Sequence, residues 1–258
     1  RSPSRGLGDV YKRQDLDYGF NNKDIKGHMG IEYTFLPLKF GSFKLRTGDI
    51  YDMVNNYESV LGTFSRSNYV RKRFVGFSQR IEIFNGFYLK AGFDFSDRQE
   101  ITNLQLADWS NQIFGELNTP QPFEQYTVSI FELNLVYRFK QKYVIKENSK
   151  QIIGSKFPEL KLTYKKGIPN LFGSNVNFDF IELSASDKVQ IRTFGELKWN
   201  FIAGSFVNKV DLKFIEHKFF RGSDGFLFSN PLKSHQLLDS TFRTPDPYFQ
   251  AFAIHHFN

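Results

Sequence analysis

Few residues of this chain stand at spacings that do chemistry. His255 and His256 are adjacent in an alternating run, so they point to opposite faces of a strand and cannot chelate one metal together. Glu216-His217 fails by the same geometry. Asp94, Asp97 and Glu100 bracket a strand end and offer hard oxygen ligands for a divalent cation, but nothing in their spacing fixes a geometry. Arg66, Arg71, Lys72 and Arg73, interleaved with Tyr69 and Phe74, form the densest basic cluster. It suits lipopolysaccharide phosphates or another polyanion, and equally a solvated loop and strand rim. Glu182 and Glu196 fit as partners of Lys and Arg across strands. There is no Gly-x-Ser-x-Gly elbow, phosphate-binding glycine loop or His-Glu-x-x-His motif. No catalytic residue, cofactor or metal is therefore expected, and the chain reads as non-enzymatic.

The elements that would position these side chains are strands. In Phe74–Ser96 two alternating runs flank Asn85-Gly86, the strongest short hairpin signal, and both residues tolerate the positive φ of a type I′ turn. After the turn Phe87, Leu89, Ala91, Phe93 and Phe95 share one face, and Tyr88, Lys90, Gly92, Asp94 and Ser96 the other. Each arm has the length that crosses a bilayer as a tilted strand, about 9–11 residues. An apolar face opposite a charged one is the pattern of a membrane barrel with a wet lumen.

Along the chain the same alternation predicts nine strands, near 24–35, 38–49, either side of Asn85-Gly86, 127–140, 159–166, 176–192, after 195, and 247–257. In the fifth, Phe131, Leu133, Leu135, Tyr137 and Phe139 are expected outward. In the seventh the alternation changes phase near Phe180-Ile181, which predicts a bulge. Connections at Leu36-Pro37, Asn85-Gly86 and 193–195 are short, whereas 50–72, 97–126 and 206–246 are long, with 141–157 intermediate. Barrels of the outer membrane segregate short turns from long external loops in this way. Trp199, Tyr164 and Tyr137 suit an aromatic girdle.

Composition agrees. The 258 residues include 31 Phe and are 17% aromatic, yet mean hydropathy is negative and no run has the apolar length of a membrane helix. Only alternate residues of a barrel strand need be apolar. Cysteine is absent, which excludes disulfides and thiolate chemistry. Asp9-Val10-Tyr11-Lys12-Arg13-Gln14 back-translates to the end of a transposon-based sequencing adapter, so residues 1–14 are expected to be artefact and 15–258 the genuine chain. Setting aside Arg1, Arg5, Lys12, Arg13 and Asp9 would lower the formal charge of +7 by three, too mild an excess to imply nucleic acid. Ala251–Phe257 reads as a strand at the very end of the chain, so 15–258 is expected to be an internal piece of a larger barrel, truncated at both ends.

Several runs carry a family likeness. Phe157-Pro158-Glu159-Leu160-Lys161-Leu162-Thr163-Tyr164-Lys165-Lys166-Gly167-Ile168, Phe219-Phe220-Arg221-Gly222-Ser223-Asp224, Phe228-Ser229-Asn230-Pro231-Leu232, Gln236-Leu237-Leu238-Asp239 and the close from Pro247 to His255-His256-Phe257-Asn258 resemble an outer-membrane family of the Bacteroidota. Its members place a carboxypeptidase-regulatory-like domain ahead of a large barrel. More distantly, Arg221-Gly222 resembles the Arg-Gly-aromatic motif on a long, inward-folded loop of the outer-membrane assembly and surface-antigen barrels, with Ser223 replacing the aromatic. That likeness implies a luminal carboxylate partner for Arg221.

The expectation is thus an all-β chain, an antiparallel transmembrane β-barrel of about nine strands, in the outer membrane of a Gram-negative bacterium. By resemblance its role is assembly or translocation of proteins or surface material, with outer-membrane lipid, lipopolysaccharide and unfolded or exported proteins as partners. A nutrient transporter barrel energised from the inner membrane, an outer-membrane lipase or protease, and a secreted β-sandwich adhesin are the alternatives.

Overall fold

The computed structural model describes residues 10–19, 24–57, 68–101, 112, 115, 122–147, 149–222, 230–235 and 242–257. Fourteen strands are present among them: β1 (Val10–Gly19), β2 (Asp24–Leu36), β3 (Gly41–Met53), β4 (Tyr69–Phe84), β5 (Phe87–Gln99), β6 (Tyr126–Arg138), β7 (Lys142–Lys146), β8 (Ser149–Gly154), β9 (Glu159–Gly167), β10 (Asn177–Gln190), β11 (Glu196–Asp211), β12 (Lys218–Phe219), β13 (Arg243–Thr244) and β14 (Tyr248–His256). Ten of them form one antiparallel sheet in chain order, β1 to β6, then β9, β10, β11 and β14. The fold is all-β, an up-and-down barrel wall. A β-sandwich needs two facing sheets, and the only others among the described residues are the two-stranded pairs β7–β8 and β12–β13, so the sandwich alternative is set aside.

The alternation read from the sequence sets the two faces. In β3, Phe43 and Leu45 point outward and Ser42 lies buried on the other side, while Val75 and Phe77 of β4 continue the outward row. Phe131, Leu133, Leu135 and Tyr137 share the outward face of β6, across from Phe93, Ala91, Leu89 and Phe87. The nine expected strands all appear. The tenth, β1, pairs with β2 over its whole length, and its Val10–Gln14 part overlaps the adapter-like segment.

Three local expectations change. At Asn85-Gly86 only Gly86 has a positive φ, of 85°, so the turn is not type I′. The extra residue is absorbed as a register shift between Glu82 and Phe84, and the Glu82 carboxylate accepts the Gly86 N–H at 2.9 Å. A side chain at Gly86 would also collide with the Arg138 carbonyl, its Cβ lying 2.2 Å away, so glycine is required there.

In β10 the phase does not change, because Phe178, Phe180 and Glu182 follow one another on the inner face. What changes is the chemistry of that face, from polar near the short turns to apolar near the long loops. The expected bulge is present beside Phe180, as register shifts between Asn177 and Asp179 and between Asp179 and Phe180, with β11 carrying the extra residue each time.

The intermediate connection 141–157 is the third. It sits at the short-turn end and folds into the β7–β8 hairpin.

The core lies inside the curl, at the long-loop end. Val70, Tyr126, Val128, Phe178, Phe180 and Phe206 come from four strands and Val54 and Val176 from connections, and they form one cluster with Ile215 of the β11–β14 connection. One short segment can reach so many strands only if the sheet wraps around it. The connection after β3 (Tyr57) and β14 (Gln250) line a common cavity for the same reason.

Candidate functional site

The inner face is built from the even-numbered residues of β3, β4, β5 and β6, and most of their charges are matched in pairs. Lys72 lies 3.6 Å from Asp52 and 3.4 Å from Asp94, and Lys165 is 3.6 Å from Glu132. The space between the strands is divided by two intruding segments. At the long-loop end, residues 212–220 cross the lumen. Ile215 enters the apolar core, and Arg98 Nη1 of β5 contacts Glu216 Oε1 at 2.7 Å. Lys218 and Tyr248 both donate to Glu182 of β10. The Arg98–Glu216 contact is an ion pair without hydrogen-bond alignment, since neither Arg98 Nε nor Glu216 Oε1 has a hydrogen-bond partner.

At the short-turn end, the β7–β8 hairpin closes over the inner face. Lys150 of β8 donates to the Glu82 carboxylate and, at 3.1 Å, to Asn85 Oδ1. Gln141 donates to Glu82 at 3.0 Å and to Asn85 at 3.1 Å, and accepts from the Tyr88 hydroxyl at 2.8 Å. Glu82 is 2% and Lys150 7% exposed at the side chain, so both charges are dry and mutually dependent.

These pairs were not foreseen from the sequence. A Glu or Lys in an alternating strand looks the same whether its partner is a neighbour in the sheet or a loop 68 residues away, as for Lys150 and Glu82. The only hint was the type of residue on the inward face.

The residues singled out by spacing fare unequally. The basic cluster is split: Lys72 faces the lumen, whereas Arg71 and Arg73 face outward and share Asp49, Arg71 through bonds of 3.0 and 2.7 Å and Arg73 at 3.4 Å. Arg66 lies outside the described residues. Arg221 is exposed, and its backbone carbonyl accepts the His235 N–H at 2.8 Å while Gly222 bridges His235. No carboxylate contacts its side chain among the described residues; the buried luminal arginine is Arg98, with the loop supplying the acid. Asp94 points inward to Lys72, whereas Asp97 accepts from Gln99 and Gln125, so the two do not converge on one cation. Glu196 meets Lys188 at 2.5 Å and Lys198 at 2.9 Å, but the partner of Glu182 is Lys218 of the short β12 in the luminal segment rather than a lysine on a neighbouring wall strand. His255 and His256 pair with Leu197 and Glu196 at successive positions, hence on opposite faces.

His217, between the two anchoring residues of the luminal segment, is held below its ordinary 6.5, first by burial and then by the Arg243 cation, with Asp246 and Glu216 opposing. A base with a lowered value in the docked state binds fewer protons than when released. Docking is therefore strongest above about pH 6.5 and is lost as pH falls toward the lowered value. Limited proteolysis at pH 7.5 and 5.0 is expected to show cleavage within 212–220 only at the lower pH, and His217→Gln to flatten that difference.

On the outward face the aromatics are continuous. Phe84 stacks on Phe87 at 4.9 Å, Tyr137 meets both at 6.1 and 6.0 Å, and the row continues through Phe139 at 5.7 Å to Phe157. This is a girdle at the short-turn end, and Trp199 joins the outward face of β11 beside Phe201 at 5.1 Å. Tyr164 sits nearer the long loops, its hydroxyl 2.5 Å from Asp179.

The C-terminal domain of a family of unknown function (DUF5686) matches residues 9–258, so the likeness extends over both halves of the chain. No curated protein matches. Among solved structures the chain is similar to BamA from Haemophilus ducreyi lacking POTRA domains 1–3, with 11% sequence identity and a TM-score of 0.44. The match covers 86% of this chain, which spans about half the length of that one (45%).

Proposed function

The chain belongs to the DUF5686 family, as its C-terminal domain, and from that premise we propose that it is the wall of an outer-membrane β-barrel serving assembly or translocation of proteins or surface material. One observation carries the membrane location: the outward face of a single sheet is apolar while its inward face is charged. Met29, Leu45, Phe77, Leu160, Leu183 and Phe249 are 47–67% exposed, and they lie on the same outward side. Monomers in water rarely leave so large a continuous apolar surface, but a lipid-facing band flanked by an aromatic girdle requires one. The role in assembly or translocation is supported by the lumen, which is occupied at both ends by segments tethered through ion pairs. Such a lumen suits a barrel whose passage is opened on demand. Outer-membrane lipid and lipopolysaccharide would surround it, and exported proteins or surface polymers would be its cargo. Its chemistry would be non-enzymatic.

The test is to recover the complete gene, fractionate the membranes, and follow migration in detergent with and without heating. Outer-membrane recovery with heat-modifiable migration is expected; a soluble, heat-indifferent product overturns the reading. Depleting the protein should lower the amount of surface-exposed protein or polymer, and unchanged surface composition would remove the proposed role. A sharper check of the outward face is Leu183→Arg. In a bilayer the guanidinium at mid-depth is expected to cost about 2–4 kcal/mol in urea unfolding from lipid vesicles. On a water-facing surface it would cost almost nothing.

A further inference from the structure

Between the luminal segment and the β7–β8 hairpin, on the inner face near the short turns, lies a cavity of about 580 Å³ lined by Arg80, Lys90, Arg138 and Lys161 against a single carboxylate, Glu132. The acid is already committed to Lys165 at 3.6 Å and to the Asn134 amide at 2.6 Å. Arg138 is matched by Glu159. Arg80, Lys90 and Lys161 have no carboxylate within ion-pair distance among the described residues; Arg80 lies over the Phe40 ring at 6.0 Å. All three are exposed to the cavity.

The register makes this arrangement costly when empty. Arg80 of β4 stands directly opposite Lys90 of β5, Lys90 stands opposite Asn134 of β6, and Lys161 of β9 pairs with Val136, one inward position along from Asn134. Like charges directly opposite on neighbouring strands repel, and a recess with low-dielectric walls focuses their field. Elsewhere on this inner face most cations are paired, as Lys72, Lys165 and Lys150 are; here three stand together.

We propose that this cavity is a binding site for a multiply charged oxyanion of the phosphate class, either free or as the headgroup of a lipid. Arg80 supplies a planar fork for two oxygens, Lys90 and Lys161 supply compact charges from the adjoining strands, and Asn134 and the Tyr88 ring complete the wall. The volume suits a small polyphosphate or a phosphorylated headgroup. The inference does not depend on the assembly role, because it concerns only the wall and the hairpin.

The test uses the full-length protein purified in a non-ionic detergent at pH 7.5 and 150 mM salt. Sodium tripolyphosphate and, separately, phosphatidic acid in mixed micelles are titrated by calorimetry. Saturable binding of at least one is expected, weakened tenfold or more in Arg80→Gln/Lys90→Gln/Lys161→Gln. The three side chains are exposed to the cavity, so the variant should keep its heat-modifiable migration. Arg73→Gln/Lys146→Gln/Lys209→Gln, which removes the same charge away from the cavity, should bind as the parent does. Tripolyphosphate binding assigns a free anion, and phosphatidic acid binding alone assigns a headgroup. Saturable binding of neither, or equal loss in the two triple variants, overturns the site.

Discussion

Arg98→Met is expected to cost about 3–5 kcal/mol and to release the luminal segment, because removing one partner of a buried ion pair leaves the other charge stranded. The side chains of Arg98 and Glu216 are only 9% and 12% exposed, and among the described residues Glu216 forms no second ion pair. The loss should register as a lower urea midpoint and as proteolysis within 212–220. Glu216→Leu in the same background should recover most of it, since an apolar pair of similar volume beside Ile215 needs no compensation. If Arg98→Met is as stable and protease-resistant as the parent, the segment is held by Ile215 and Lys218 alone and the ion pair is incidental. The same variant bears on function. A lumen opened by losing one contact should admit small solutes across the barrel, whereas one that stays shut must be plugged by something beyond this tether.

How far the sequence foretold this picture depends on the range of each interaction. Strand positions and faces were legible because alternation is local: Phe87 to Phe95 declare one face without reference to any other strand. The aromatic girdle was partly legible for the same reason, Tyr137 and Trp199 falling on outward positions. The turn at Asn85-Gly86 was located correctly but its conformation was not, since Glu82 and Gln141 set it through contacts of 4 and 56 residues' separation. The apolar ring inside the long-loop end was misread as a phase change at Phe180-Ile181, because inward Phe residues look like a slipped register unless their contact, Ile215, is known. The basic run Arg71-Lys72-Arg73 looked like one patch in the chain but alternation divides it between two faces. Least legible were the tethers Arg98–Glu216 and Glu82–Lys150. Each joins a strand to a connection whose path depends on the curl of the whole wall.

The second large effect concerns the other tether. The β7–β8 hairpin has little apolar burial of its own: every residue of β7 is exposed, and in β8 only Lys150 is buried. Its attachment must therefore come from the polar network, in which Lys150 supplies the only cation to Glu82 among the described residues. Lys150→Met should cost about 3–5 kcal/mol, as it leaves the buried Glu82 carboxylate with neutral donors such as the Gly86 N–H, the Gln141 amide and the Tyr88 hydroxyl but without its lysine. Glu82→Gln should be milder than Lys150→Met, because a neutral amide still bonds Gly86 or Gln141 and the lysine can swing toward solvent. That order, with the lysine variant worse than the glutamate variant, distinguishes a stranded buried carboxylate from a simple loss of one contact, which would make the two equal. Hydrogen exchange resolved by segment supplies the second reading. In Lys150→Met, amides of 142–154 should exchange far faster while those of β4 and β5 beyond the turn remain protected. Uniform loss of protection through the wall would mean that the hairpin is part of the barrel's own cooperative unit rather than a cap laid upon it.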